Sequence, residues 1–264
     1  RVKIMAKFEF KNIDVLAQRM LDDYDSKNPG MLFAEGLRMN VDEAWQLQTA
    51  VASLRIKRGE KPVGYKIGCV DEGNQKMIGI NHPAWGRLWD TERHTDGAQL
   101  QKSDYDNPSM EAEFGIVLGS DIDPAKAEFE DIIDAIASVH PVIEIHNFVF
   151  RGEHPKGPEL LANNAIHSGV VLGNSVIDCK DRMSTDLELV YDGEVVDAWK
   201  DKRWPHDMLS ALGWLIDQQA KKGIKLKKGE LILTGAFGPP IPIQDKKLVE
   251  CKSSALGSVS ATFL

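Results

Sequence analysis

Three glutamates sit inside strand-like apolar runs of this chain, and they limit how it can fold. Glu111 and Glu113 lie in Met110-Glu111-Ala112-Glu113-Phe114-Gly115-Ile116-Val117-Leu118, and Glu144 lies in Val142-Ile143-Glu144-Ile145. Alternate side chains of a strand share a face, so Glu111 and Glu113 project together. Carboxylates gathered in an apolar interior repel one another and lose hydration. A hard divalent cation removes that cost, because Mg²⁺ or Mn²⁺ takes carboxylate oxygens and keeps waters that a substrate can displace. Glu111, Glu113 and Glu144 are therefore read as a candidate metal site. One E-x-E pair alone would also suit the solvent face of a half-exposed strand.

A chain of 264 residues can bury a sizeable core as one large domain or two small lobes. Its net charge of -8 argues against a nucleic-acid surface. The cysteines Cys69, Cys179 and Cys251 are widely spaced with no C-x-x-C, which excludes a zinc-thiolate motif and gives no disulfide framework. No apolar stretch approaches the roughly 18 residues of a membrane-spanning helix, and a cytoplasmic setting is expected.

Residues 1–61 read as a helical N-terminal region and 62–264 as a β-rich catalytic domain. Ile13, Leu16, Ala17, Met20, Leu21 and Tyr24 recur at helical spacing, and Ser26-Lys27-Asn28-Pro29-Gly30 ends that pattern. Asn40 with Glu43 predicts a capping box for a helix through Leu54, closing near Gly59. Asp123-Pro124 predicts a helix through Ile132, Ile133 and Ile136, and Pro205 one through Ile216 that ends at Gly223. Short strands are expected at Gly169–Gly173, Leu187–Tyr191, Leu231–Thr234 and Ser258–Phe263, with a hairpin at Asp192-Gly193. The pattern predicts helices leading into a mixed, mainly antiparallel β-structure. Dinucleotide, Walker and nucleophile-elbow motifs are missing.

Six segments then fall in one order: Gly64-Tyr65-Lys66-Ile67-Gly68, Met110–Glu113, Glu144, Asn163-Asn164-Ala165-Ile166-His167-Ser168-Gly169, Leu233–Gly238 and Ala255–Val259. That order resembles the hydratase/decarboxylase branch of the fumarylacetoacetase superfamily over nearly the whole chain. The resemblance implies an α+β fold, with a mixed β-roll or barrel-like core and a helical N-terminal region. It also implies Mg²⁺ or Mn²⁺ on Glu111, Glu113 and Glu144, and a homo-oligomer that can associate with a partner enzyme of its pathway. The implied reaction is addition of water to a 2-hydroxy-2,4-dienoate of the 2-keto-4-pentenoate type, in degradation of aromatic compounds. The alternative is 4-oxalocrotonate decarboxylation; an acylpyruvate C–C hydrolase or a non-catalytic member ranks lower. The hydrolase-branch segment N-D-[VI]-[ST]-x-R-D-x-Q is replaced here by Asn163–Gly169.

Several side chains take expected roles from this reading. A lysine in an apolar run is costly unless paired, so Lys66 is expected either to meet a substrate carboxylate and move protons, or to pair with a core glutamate. Asp90 is a candidate acid/base, or else a turn cap. His146, Arg151 and His167 are candidates for the distal end of the substrate. Asn164 and Ser168 are candidates for hydrogen bonds to substrate or metal-bound water, or for ordinary strand-entry bonding. The Gly235–Pro240 loop could offer backbone N–H groups to a carboxylate.

Overall fold

The computed structural model describes residues 10–126, 128–174, 183–204 and 206–264. Its N-terminal helices are α1 (Ile13–Asp25), α2 (Met31–Ala34) and α3 (Val41–Lys57). Asn40 and Glu43 close the expected capping box, each side chain accepting from the other's backbone N–H at 2.9 and 2.8 Å. Buried Leu16, Met20, Leu47 and Phe33 form one cluster with Ala84, Leu161 and Ile166 from the later chain, so the helices share a core with the β-structure.

The chain continues through β1 (Pro62–Gly68), α4 (Glu72–Ile78), β2 (Ala84–Trp89), β3 (Arg93–Thr95), β4 (Ala98–Leu100), β5 (Pro108–Leu118), α5 (Phe129–Asp134) and β6 (Ile136–Asn147). It ends with α6 (Gly157–Ala162), β7 (His167–Leu172), β8 (Met183–Tyr191), β9 (Glu194–Trp204), α7 (His206–Ala220), β10 (Leu231–Leu233), β11 (Ile241–Pro242), β12 (Leu248–Ser253) and β13 (Gly257–Phe263). One mixed sheet runs β2-β1-β10-β5-β6-β7-β3, with β11 added on β5; a second runs β4-β13-β12-β8-β9. Phe114, Ile143 and Ile145 of the first sheet share a core with Leu189, Val249, Val259 and Phe263 of the second. Among the described residues, no helix is long and apolar enough to cross a membrane.

One local expectation is corrected. The helix expected through Ile136 is only α5, because Ile136 already pairs with Leu118 as the first residue of β6. β9 pairs with β8 from Glu194 to Trp204, so Trp199 and Arg203 belong to a strand. The Asp192-Gly193 hairpin forms with both residues at positive φ, 49° and 84°. Helix α7 ends ahead of Gly223, which has φ of 71°; Pro205 lies outside the described residues.

Gly64 shows why the lysine-bearing strand needs glycine. At φ of 150°, an added Cβ would sit 1.8 Å from the Leu231 carbonyl oxygen. Only a bare backbone lets β10 lie parallel beside β1, which puts Lys66 opposite Leu233.

Candidate metal centre

Register brings the acidic residues together. On β5 and β6, Glu111 stands opposite Glu144 and Ser109 opposite His146, so Glu111, Glu113, Glu144 and His146 share one face of the pair. Glu113 and Glu144 are fully buried and His146 is 1% exposed. Nε2 of His146 lies 2.8 Å from Glu111 Oε2 and 3.5 Å from Glu144 Oε2. Ligand atoms of Glu111, Glu144 and His146 all fall within 4.8 Å of one another. Lys66 Nζ stands 3.2 Å from Glu144 Oε1, and His167 Nδ1 stands 2.8 Å from the same oxygen.

Electrostatics divides the two buried carboxylates. Burial, then the charges of Glu144 and Glu111, push the Glu113 carboxyl well above its ordinary range, so it keeps a proton. Burial also acts to raise Glu144, but His146, Lys66 and His167 outweigh it and hold the group ionised. Lys66 would be pulled down by burial; the charges of Glu144 and Glu111 reverse this and raise it, so it stands as an ammonium. The depressed lysine needed for a proton shuttle is therefore not what these neighbours produce.

A divalent cation fits this arrangement on the molecule's own evidence. Glu113 Oε1, Glu144 Oε2 and His146 Nδ1 are buried polar atoms without hydrogen-bond partners. Carboxylate oxygens with an imidazole nitrogen make a donor set for Mg²⁺ or Mn²⁺, the imidazole favouring the latter. The Gly235 N–H donates to Glu113 Oε2 at 3.0 Å, so the carboxylate expected for that loop is the protein's own.

The centre opens on a cavity of about 270 Å³ whose lining includes Lys66, Glu111, His146, Phe148, Ile166 and Pro239. His154 and Lys156, unread in the sequence, also line it, and Lys156 Nζ lies 5.4 Å over the Phe150 ring. Cys69 lines the same wall, its thiol pushed up to about 11 by burial.

Other expected site residues fall elsewhere. Asp90 is exposed in a turn, where Oδ1 accepts from the Lys61 N–H at 2.9 Å. If Asp90 is this cap alone, Asp90→Ala costs about 1 kcal/mol of stability and leaves kcat intact. An acid/base role would instead lower kcat by roughly 10²-fold or more; we expect the first result. Arg151 is spent on Pro29 O, Asn28 Oδ1 and Asp106 Oδ2 at 3.1, 2.7 and 2.8 Å, tying β6's exit to the N-terminal helices.

His167, Ser168 and Asn164 line a separate void of about 50 Å³ beside Tyr24 and Arg55. Asn164, Ala165 and Ile166 are held at φ of 55°, 51° and 57°, a left-handed run that Asn tolerates but that costs Ala165 and Ile166 about 1–2 kcal/mol each. Asn164 clamps it, accepting from Arg87 N at 2.7 Å and donating to Arg87 O at 2.9 Å. Gly86 makes the close approach possible, since a Cβ there would meet Asn164 O at 2.3 Å. Asn164→Ala is expected to cost about 1–3 kcal/mol in urea unfolding, by orphaning the Arg87 backbone groups. It should also impair turnover, because the run places Ile166 in the cavity wall and His167 on Glu144.

Comparison with known proteins follows the same lines. Residues 92–264 match the family described as fumarylacetoacetate (FAA) hydrolase C-terminal. The chain is 32% identical over 230 residues to a 2-keto-4-pentenoate hydratase of Paraburkholderia xenovorans (strain LB400), covering 85% of this chain and 84% of that one. It is 27% identical over 222 residues to a 4-oxalocrotonate decarboxylase of a Pseudomonas species, covering 84% and 86%. Among solved structures it resembles the 4-oxalocrotonate decarboxylase of Pseudomonas putida G7 complexed with magnesium and adipate. That similarity has a TM-score of 0.84 at 23% identity, over 96% of this chain and 97% of the other.

Proposed function

Because the chain belongs to the fumarylacetoacetate hydrolase C-terminal family, we propose that it is a divalent-metal-dependent lyase that hydrates a 2-hydroxy-2,4-dienoate of the 2-keto-4-pentenoate type. The observation that carries this reading is the meeting of Glu111, Glu144 and His146 beside Lys66 at the base of one cavity. Glu111, Glu113 and Glu144, with His146 next to them, would hold Mg²⁺ or Mn²⁺. When bound, such a cation supplies Lewis-acid stabilisation of negative charge on the C2 oxygen of a 2-keto acid.

The chain's own residues supply the rest. Lys66, charged and 3% exposed, offers N–H donors to a substrate carboxylate while compensating Glu144. His167 acts by holding Glu144 Oε1, as a positioning residue. Phe148, Phe150, Ile166 and Pro239 wall the cavity and keep bulk water from the reacting carbons.

A second reading, 4-oxalocrotonate decarboxylation, draws on His154 and Lys156, which could meet the second carboxylate of a diacid in the same cavity. The family resemblance extends both readings to aromatic degradation in the cytoplasm by a homo-oligomer, and sedimentation of the purified chain would test the oligomeric state.

The deciding assay supplies Mn²⁺ or Mg²⁺ with 2-hydroxypenta-2,4-dienoate and, separately, 2-oxohex-3-enedioate, following ultraviolet absorbance and CO₂. Loss of the dienoate without CO₂ is the expected result. CO₂ from the diacid would establish the decarboxylase, and silence on both would overturn the lyase assignment.

A further inference from the structure

On the face of β1 away from Lys66, two cations meet without an anion. Tyr65 and Lys66 are successive strand residues, so their side chains leave opposite faces, and Tyr65 pairs across to Arg87 on β2. Trp85, two residues before Arg87, shares its face, and Tyr65 meets the Trp85 ring edge-on at 5.7 Å. Arg87 is only 9% exposed, and among the described residues its side chain donates one hydrogen bond, Nη1 to Gln48 Oε1 at 3.0 Å. Its guanidinium carbon lies 4.9 Å from the Trp85 ring centre. Lys222, just beyond α7, lays its ammonium 4.5 Å from the same ring and 5.4 Å from that of Trp45.

Among the described residues, no carboxylate forms an ion pair with Arg87 or Lys222. Glu230, which acts on Tyr65, has one oxygen engaged by the Lys227 N–H at 2.7 Å. Burial lowers Arg87; partial burial of the Lys222 ammonium against the indoles, with Arg87's charge, brings it to about 8 although the side chain reaches solvent. Indole faces soften this repulsion but cannot neutralise it. The half-buried Trp45 also stacks on His82 at 6.2 Å, and His82 on Trp214 at 6.2 Å, leaving a run of partly exposed rings beside the cations.

We propose that Arg87 and Lys222, together with Trp85 and Trp45, form a second anion site that takes the carboxylate of a small conjugated organic acid. The planar guanidinium fork, with donors left over after Gln48, matches a carboxylate's two oxygens. Trp85 is buried and stacked on Trp45 at 5.2 Å, so the flat body of a conjugated acid would lie against the partly exposed rings of Trp45, His82 and Trp214, and Lys222 supplies the second charge. The site faces away from the metal centre, so its occupancy does not depend on a bound cation.

Benzoate titrated into the full chain, with and without Mn²⁺, tests this through tryptophan fluorescence. A saturable change of equal affinity in both conditions is expected, weakened at least about tenfold by Lys222→Ala, the loss of one charge-assisted contact of roughly 1.4 kcal/mol. Glu144→Gln, which disables the metal centre, should bind benzoate as the native chain does. Arg87→Gln should abolish binding, with far-ultraviolet circular dichroism checking its fold; Lys222 is exposed, so the test survives if Arg87→Gln does not fold. Affinity unchanged in Lys222→Ala, or no saturation in the native chain, would overturn the proposal. Tighter binding of inorganic phosphate than of benzoate would overturn the assignment to a carboxylate. Dissociation of an oligomer by Lys222→Glu, without benzoate binding to the native chain, would give the cations to a carboxylate of a second copy and overturn the small-acid site.

Discussion

Glu144→Gln should cost the metal-free protein about 3–5 kcal/mol, the penalty for breaking a buried ion pair on one side. Glu144 is fully buried, and its oxygens hold Lys66 at 3.2 Å and His167 at 2.8 Å, with His146 at 3.5 Å. A neutral amide keeps the shape and removes the charge, so the Lys66 ammonium, only 3% exposed, loses its nearest counter-ion. Urea unfolding at neutral pH reads that loss. Metal-supported turnover should fall by roughly 10³-fold or more, as for removal of a principal electrostatic group. A variant with native stability would mean that Lys66 is held by Glu111 instead.

Glu113→Gln should give the opposite sign in the metal-free protein. Glu113 keeps its proton in the folded chain because burial and the charges of Glu144 and Glu111 raise its carboxyl. A carboxyl raised above its unfolded value gives stability that is fully present below that value, ordinarily 4.5, and is lost as pH rises toward the folded value. Metal-free native protein should therefore weaken relative to Glu113→Gln as pH rises from 5 to 8, by at most about 1.4 kcal/mol per pH unit. Glu144, lowered in the fold, contributes the reverse trend, with stability present above the same 4.5 and lost as pH falls. Mn²⁺ should cancel the advantage of Glu113→Gln, because a bound cation lets Glu113 ionise, and Mn²⁺ affinity in the variant should drop by about 100-fold. Thermal unfolding across pH with and without Mn²⁺ checks both halves. A pH-independent difference would show that Glu113 is ionised without metal.

The glutamates were legible because a strand has period two and because apolar neighbours make a carboxylate conspicuous. His146 is conspicuous for the same reason, yet its place beside Glu111 depends on the register that sets it opposite Ser109, which the sequence does not display. Arg151 reads as a substrate cation until its partners Asn28 and Asp106, distant along the chain, come into view. The resemblance carried Asp90 toward the site, but turn chemistry with Lys61 claims its carboxylate here. Lys156 and His154 sit in an irregular segment between β6 and α6, where no periodicity reports which side chains face a cavity. Ile136 fits a helical spacing with Ile132 and Ile133, and only its pairing with Leu118 assigns it to β6.

Anomalous diffraction from crystals of the chain soaked in Mn²⁺ is the most direct test of the metal centre. One strong peak is expected on the shared face of β5 and β6, within about 2.0–2.3 Å of carboxylate oxygens from Glu111 and Glu144 and next to the Glu113 oxygen that has no hydrogen-bond partner. A peak elsewhere, or none on that face at saturating Mn²⁺, would contradict it.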